Sequence, residues 1–141
     1  MKIRIKHKAL LVKKNTPELL IIIDFGSQFT QLIARRLREL NVYCEIHPFN
    51  KITVSFINRK NPLAIILSGG PSSVIKDNSP RLPIAVFALE IPILGICYGQ
   101  QLIVEQLDGV VKNSKTSSEF GRAFIKKSKD SLDFVNGFFE K

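Results

Sequence analysis

The sequence lacks the features of a membrane protein, a disulfide scaffold or a zinc protein. No uncharged apolar run approaches the ~20 residues that span a bilayer, which excludes a transmembrane helix. The two cysteines, Cys44 and Cys97, are too few for a framework of disulfides, and no His/Cys cluster has zinc spacing. Apolar residues (45%) and charged residues (23%) occur at ordinary levels, which excludes disordered and collagen-like chains. A length of 141 residues is enough for one domain with a hydrophobic core.

Acidic residues are absent from residues 1–14, which contain six basic residues. The other 127 residues hold 15 basic and 12 acidic residues, so they contribute only +3 of the net charge of +9. The basic excess is therefore local, and we expect neither a nucleic-acid nor a membrane partner for the folded body. We divide the chain into a basic amino-terminal extension, residues 1–18, and a domain over residues 19–141. The extension is either a poorly ordered leader, which we favour, or a contact for phosphate or anionic lipid. The apolar run Ala9–Val12 is too short for a secretory signal, so we expect a cytoplasmic protein.

Apolar runs alternate with helical patterns from Pro17 onward, which predicts an α/β fold with a doubly wound, mostly parallel sheet in flavodoxin-like order 2-1-3-4-5. Gly-rich turns end three of the strands, at 24–27, 68–71 and 95–99, and carboxyl strand ends are where such sheets form their sites. The predicted strands are Leu19–Ile23, Val42–His47, Leu63–Leu67 and Ile91–Ile96, and the predicted helices are 27–40, Lys51–Asn58, Leu82–Leu89 and Gly99–Leu107, the last with Gly109 as its left-handed stop.

The sharpest motif is Gly95-Ile96-Cys97-Tyr98-Gly99, a G-x-C-x-G at a strand-to-helix junction. It is the thiol counterpart of the G-x-S-x-G nucleophile elbow, in which a strained turn exposes the nucleophile. The flanking glycines let the strand and the helix pass close to the turn, and the helix N-terminus favours the thiolate. We predict Cys97 as a nucleophile; the structural alternative is a small buried cysteine in a Gly-rich turn.

Two further strand ends hold candidate site residues. Gly69-Gly70-Pro71 follows the third strand. A backbone N–H of this turn, together with the Tyr98 N–H, could stabilise a developing oxyanion. Taken alone, the Gly-Gly-Pro segment is an ordinary turn. Asp24 follows the first strand and is either a metal- or phosphate-site residue or, more commonly, a turn residue. The cluster Arg35-Arg36-Arg38 is either a solvated helix face or an interface with a partner domain.

A general base for the cysteine is the missing part. Cysteine nucleophiles work with a histidine that a carboxylate orients. The chain has two histidines: His7 lies in the basic extension, and His47 ends the second strand, at the sheet edge opposite the fourth strand. We therefore expect His47 not to be the base and the triad to be incomplete.

Several segments together resemble the amino-terminal class I glutamine amidotransferase domain of the GMP synthetase family. G-x-C-x-G-x-Q is typical of class I amidotransferases in general, whereas the DFGSQ-[FY]-TQL pattern is narrower. The resemblance covers about residues 19–125, and the segments that carry it are Ile22–Leu40, Val42–Glu45, Ile65–Ser72, Asn78–Arg81, Gly95–Gln101 and Glu119–Gly121.

The resemblance implies that the chain is the glutamine-hydrolysing half of a ligase in purine biosynthesis. Cys97 would form a glutamyl thioester, the N–H groups of Gly70 and Tyr98 would bind the oxyanion, and Gly69, Gly99 and Gln101 would bind glutamine. No metal or cofactor is implied for this part; ATP and Mg²⁺ belong to a synthetase (ATP-pyrophosphatase) domain, in cis or in trans, that converts XMP to GMP. The family's His and Glu lie downstream in a motif close to S-H-G-D, which this sequence lacks. We expect dependence on such a segment; the alternative is a non-catalytic fragment that at most binds glutamine or a partner.

Overall fold

A computed structural model describes residues 18–76 and 78–112. Nearly all of the basic extension, His7 and the motif Glu119–Gly121 lie outside the described residues. The elements are β1 (Leu19–Asp24), α1 (Thr30–Glu39), β2 (Tyr43–Pro48), α2 (Val54–Lys60), β3 (Ala64–Leu67), β4 (Ile93–Gly95) and α3 (Tyr98–Gln106), with single 3-10 turns at Phe49–Lys51 and Ile84–Val86.

The four strands form one parallel sheet in the order β2-β1-β3-β4, which confirms the predicted parallel α/β architecture. In the register of the sheet, Ile23 of β1 lies between His47 of β2 and Leu67 of β3, and Leu67 lies beside Gly95 of β4. The carboxyl ends of β1, β3 and β4 are therefore neighbours, and the three Gly-rich turns meet at one edge of the sheet.

Both faces of the sheet are covered, which explains why β1 is a continuous apolar run rather than an alternating pattern. Helix α1 covers one face, over a small cluster that includes Ile22 and Ala34. The helices α2 and α3 cover the other face, over a larger cluster that includes Ile21, Ile57 and Leu102. Within the described residues no helix is long and apolar enough to cross a bilayer.

The predicted helix over Leu82–Leu89 is wrong, because the segment forms only the 3-10 turn Ile84–Val86. Its backbone hydrogen bonds run from residue i+3 to residue i, as from the Val86 N–H to the Pro83 oxygen at 2.9 Å. Only Leu82 and Val86 of this apolar segment are buried. A single apolar turn with so little buried surface does not propagate into an α-helix.

The predicted helix after the fourth strand is confirmed as α3, but its left-handed stop is one residue earlier than predicted. Asp108 takes the positive φ of +62°, which aspartate tolerates better than most residues. Gly109 follows it and donates its N–H to the Val104 oxygen at 2.7 Å, which closes the helix end as in a Schellman motif.

Candidate active site

Cys97 lies in the tight turn between β4 and α3, with its side chain exposed. Its backbone has φ +52° and ψ −109°, a conformation that a non-glycine residue adopts only at a cost of about 1–3 kcal/mol. The turn places the thiol at the amino-terminal end of α3. This is the geometry of a nucleophile elbow.

The glycines on either side of Cys97 are required by close packing. A Cβ on Gly95 would lie 2.5 Å from the Gln100 backbone nitrogen, inside van der Waals contact. A Cβ on Gly99 would collide with the backbone and side chain of Leu67 in β3. The two glycines therefore let α3 turn back against the sheet directly after the cysteine, as the spacing of the motif predicts.

Gly69 and Gly70 lie beside Cys97 in the next strand-end turn. A Cβ on Gly69 would be 3.6 Å from the Cys97 Cβ and 3.5 Å from the Ser27 Oγ. A cleft of about 520 Å³ opens here, large enough for a small-molecule substrate. Its lining comes from all three strand-end turns and the start of α1: Gly26, Ser27, Gln28, Phe29, Ile33, Gly69, Gly70, Pro71, Ile96 and Cys97.

The backbone N–H groups predicted to bind an oxyanion carry no hydrogen bond within residues 18–76 and 78–112. Tyr98 is the first residue of α3, where the N–H has no acceptor in the helix, and the Gly70 N–H also lacks one. The Tyr98 side chain points away from the cleft into the core, where it is 1% exposed and packs on Phe25 with ring centroids 5.2 Å apart.

Two of the predicted glutamine contacts do not line the cleft. Gly99 is buried, and its N–H donates to the Ser68 oxygen at 3.1 Å. Gln101 is half-buried in the first turn of α3, with its N–H donating to the Cys97 oxygen at 3.2 Å. Sequence reasoning missed Ser27 and Gln28 as cleft residues, although they follow β1 in a turn that it did single out.

Asp24 is a turn residue, which is the more common of its two interpretations. One carboxylate oxygen accepts hydrogen bonds from the N–H groups of Gly26 (3.0 Å) and Ser27 (3.3 Å) and from the Thr30 hydroxyl (2.7 Å). Across the described ranges, no three His, Cys, Asp or Glu side chains are grouped so that they could hold a metal ion. The carboxylate thus shapes the first turn and joins it to α1.

Arg81 holds the loop after β3 against α3. Its guanidinium donates to the Val74 oxygen (2.7 Å) and pairs with Glu105 of α3 at 3.2 Å. The Tyr98 hydroxyl donates to the Pro80 oxygen in the same loop. Arg81 ends the Asn78–Arg81 segment of the resemblance, and its contacts give that segment a structural role.

The arginine cluster of α1 is mostly solvated. Arg35 and Arg36 are 75% and 72% exposed and both pair with Glu39 on the same helix, at 2.9 and 2.8 Å. Exposed pairs of this kind contribute little to stability.

His47 is remote from Cys97. It lies on β2, three strand spacings from β4, which corresponds to roughly 14 Å at about 4.8 Å per strand. Its Nε2 is 2.8 Å from a Glu45 oxygen, and its ring packs edge-on against Phe56. Hydrogen bonds from Lys60 and then from His47 lower the pKa of the Glu45 carboxyl. The ring therefore belongs to a polar cluster at the sheet edge.

Comparison with known proteins gives three concordant results. Residues 21–137 match the protein family described as glutamine amidotransferase class-I. The chain is 54% identical to "GMP synthase [glutamine-hydrolyzing]" of a Ruegeria species and 58% identical to that of Dinoroseobacter shibae, each over 120 residues. These alignments cover 85% of this chain and 23% of each relative, so the chain spans about a quarter of their length. The crystal structure of a protein described as one subunit of GMP synthase, from Thermoplasma acidophilum, superposes with a TM-score of 0.61 at 30% identity, covering 75% of this chain and 52% of that one.

Proposed function

This chain belongs to the class I glutamine amidotransferase family, and from that premise we propose that it is the glutamine-hydrolysing part of a GMP synthetase with Cys97 as its nucleophile. One observation carries the proposal: an exposed cysteine in a strained strand-to-helix turn faces a cleft of about 520 Å³ bordered by two glycines. The relatives named GMP synthase support the proposal that the ammonia is used to make GMP.

The proposed reaction begins with attack of the Cys97 sulfur on the side-chain amide carbon of glutamine. The carbonyl oxygen becomes an oxyanion, which the N–H groups of Gly70 and Tyr98 stabilise, since neither has another acceptor within the part of the chain described. The base takes the thiol proton of Cys97 and passes it to the leaving nitrogen. The C–N bond then breaks, ammonia leaves, and a thioester remains. Water cleaves the thioester to give glutamate and restores the thiol.

The substrate contacts differ in how well the cleft supports them. Gly69 lies against Cys97, and its missing side chain leaves room for the bound amide. For Gly99 we propose an indirect role, because its packing against Leu67 fixes the elbow while its N–H is already bonded to Ser68. For Gln101 we propose that its side chain contacts the substrate glutamine from the first turn of α3.

The general base is proposed to come from outside the described residues. The place of His47 on β2, at the sheet edge opposite β4, argues against it as the base. The resemblance implies a histidine and a glutamate in a downstream segment, and we propose that such a segment, in cis or in a partner chain, completes the triad. Without it we expect glutamine turnover to be lower by several orders of magnitude.

The ammonia is proposed to pass to a synthetase domain that uses ATP and Mg²⁺ to activate XMP and releases GMP. ATP and Mg²⁺ would both bind that partner domain and would have no role at the residues described here. We also propose a cytoplasmic location, which is supported by two cysteines that are both free thiols.

The test is covalent capture by a glutamine analogue in which a chloroketone replaces the side-chain amide. We expect one adduct, on the Cys97 peptide, that excess glutamine prevents. Cys97→Ala should abolish the adduct and any glutamine hydrolysis, whereas the matched variant Cys44→Ala should retain both. Equal labelling of the two cysteines, or labelling that glutamine does not reduce, would refute the assignment.

A second candidate function is glutamine or partner binding without turnover. It is favoured by the distance between His47 and Cys97. It predicts that glutamine protects Cys97 from the chloroketone but leaves no glutamyl thioester on the acid-quenched protein. Detection of that thioester by peptide mass spectrometry would eliminate this candidate.

A further inference from the structure

Ser68 is a fully buried polar residue at the point where the three strand-end turns meet. Its side chain and backbone are 0% exposed. Its hydroxyl accepts the Phe25 N–H of the first turn at 3.1 Å, and its carbonyl accepts the Gly99 N–H of the elbow at 3.1 Å. Its own N–H donates to the Ile23 oxygen at 3.0 Å, which continues the pairing of β1 with β3.

The single proton of the Ser68 hydroxyl has two acceptors within reach. The Gly69 carbonyl oxygen is 2.8 Å away, whereas the nearer Asp24 oxygen is 3.4 Å away. That Asp24 oxygen already accepts three other hydrogen bonds, from Gly26, Ser27 and Thr30. Since a hydroxyl has one proton to donate, the short bond to Gly69 is the one that forms.

The Gly69 carbonyl and the Gly70 N–H belong to the same peptide unit. This unit is trans, like the other peptide bonds of the described residues, so its C=O and N–H point in opposite directions. A bond that holds the Gly69 oxygen toward the buried Ser68 hydroxyl therefore turns the Gly70 N–H away from that hydroxyl. Gly70 itself lines the cleft together with Cys97.

A peptide unit between two glycines has little intrinsic resistance to rotation, because glycine populates positive and negative φ about equally. The turn therefore needs an external restraint if the N–H is to stay directed at the cleft. The Phe25 backbone supplies part of this restraint, since a Cβ on Gly70 would lie 2.6 Å from the Phe25 oxygen. That contact limits translation of Gly70 but supplies no partner for the Gly69 carbonyl.

We propose that Ser68 is a positioning residue that locks the Gly69–Gly70 peptide so that the Gly70 N–H faces the oxyanion formed on Cys97. The inference rests on the proposed glutaminase function and deepens it. Because the same hydroxyl accepts the Phe25 N–H, one buried side chain sets the orientation of the donor and of the first turn beside it.

The experiment compares two reagents on Ser68→Ala and on the matched control Ser73→Ala, which removes a hydroxyl from the same loop. The glutamine-derived chloroketone presents a carbonyl oxygen where the oxyanion forms. Iodoacetamide reacts with the thiol by direct displacement of iodide and develops no oxyanion. Both rates are read at the Cys97 peptide by mass spectrometry on the full chain.

We expect Ser68→Ala to slow the chloroketone reaction by roughly 10- to 100-fold, somewhat less than removal of an oxyanion donor itself costs. The iodoacetamide rate should be unchanged, and Ser73→Ala should match the wild-type protein with both reagents. If Ser68→Ala does not fold, Ser68→Cys takes its place, because a thiol is a weak hydrogen-bond donor of similar size. For this variant we expect a smaller slowing of the chloroketone reaction and again no change in the iodoacetamide rate.

Two results would overturn the inference alone: an unchanged chloroketone rate, or equal slowing by both reagents, which would mean a general structural role. If glutamine fails to protect wild-type Cys97 from the chloroketone, the proposed function falls, and this inference with it. The wild-type measurement therefore separates the two failures.

Discussion

The backbone N–H of Gly99 donates to the carbonyl oxygen of Ser68 at 3.1 Å, which bonds the first turn of α3 to the end of β3. The bond requires the helix and the strand to be closer than a side chain at position 99 would allow. The elbow is thus held in place from the neighbouring strand as well as from its own.

Gly99→Ala should destabilise the fold. The new methyl group would meet Leu67, whose backbone cannot move without disturbing β3, so we expect a loss of about 1–3 kcal/mol in the free energy of unfolding. Urea unfolding followed by circular dichroism measures it. Gln100→Ala, at an exposed neighbouring position, should change the same quantity by less than about 0.5 kcal/mol. Equal stability of the two variants would contradict the packing described here.

The two cysteines should differ in reactivity in the folded chain. Cys97 is exposed, whereas Cys44 is 3% exposed with its sulfur 3.7 Å from the Ala34 oxygen. Iodoacetamide should modify Cys97 first and leave Cys44 unmodified until the protein unfolds in urea, since access limits thiol reactions. Peptide mass mapping over time reads both sites. Early modification of Cys44 would mean that the α1 face of the sheet opens readily.

Tyr98→Phe should loosen the loop after β3. Loss of the hydroxyl removes the donor to the Pro80 oxygen and a contact with Arg81 at 3.4 Å. We expect a loss of about 1–3 kcal/mol in the free energy of unfolding, because a partly buried carbonyl loses its partner. Tyr43→Phe is the control: Tyr43 is 50% exposed, and within the described part of the chain its hydroxyl makes only a long bond of 3.4 Å to Glu45. A Tyr98 effect no larger than that of Tyr43 would show that the Tyr98 hydroxyl does not help to hold the loop.

The Glu45 cluster predicts a pH dependence of stability. Its pKa is lowered in the folded chain by Lys60 and His47, so the folded state favours the carboxylate. The stabilisation is therefore present above the pKa of the unfolded chain, near 4.5, and is lost as the pH falls through the lower folded value. Glu45→Gln should destabilise the chain at about pH 6, by about 0.2–1 kcal/mol for a partly exposed pair, and by less at about pH 3.

The control for this measurement is Glu90→Gln, at an exposed position without an ion pair among residues 18–76 and 78–112. Its difference from the wild-type protein should not depend on pH in the same way. A Glu45 effect that is equal at both pH values would show that packing, not charge, accounts for it.

The candidate site could be predicted from the sequence because the chemistry proposed for it depends on local patterns. A buried isoleucine run, a Gly-rich turn and a G-x-C-x-G motif each act within a few residues, and parallel strands bring their carboxyl ends together. The same reasoning fails at Leu82–Leu89. The apolar segment predicts a helix, but only two of its side chains are buried, and it forms a single turn.

The role of Ser68 could not be inferred from the sequence, because it depends on which neighbours surround one hydroxyl. Serine before two glycines is ordinary in a turn, and only the fold brings Phe25 and Gly99 to it. The same holds for Ser27 and Gln28, which border the cleft through the register of β1 against β3.

The positive φ of Cys97 means that the residue proposed as the nucleophile also destabilises the fold. Glycine is the residue that adopts this backbone conformation without strain, so Cys97→Gly should raise the free energy of unfolding by up to about 1–3 kcal/mol. That same substitution deletes the thiol. The substitution that relieves the strain at this turn is therefore the one that removes the proposed nucleophile.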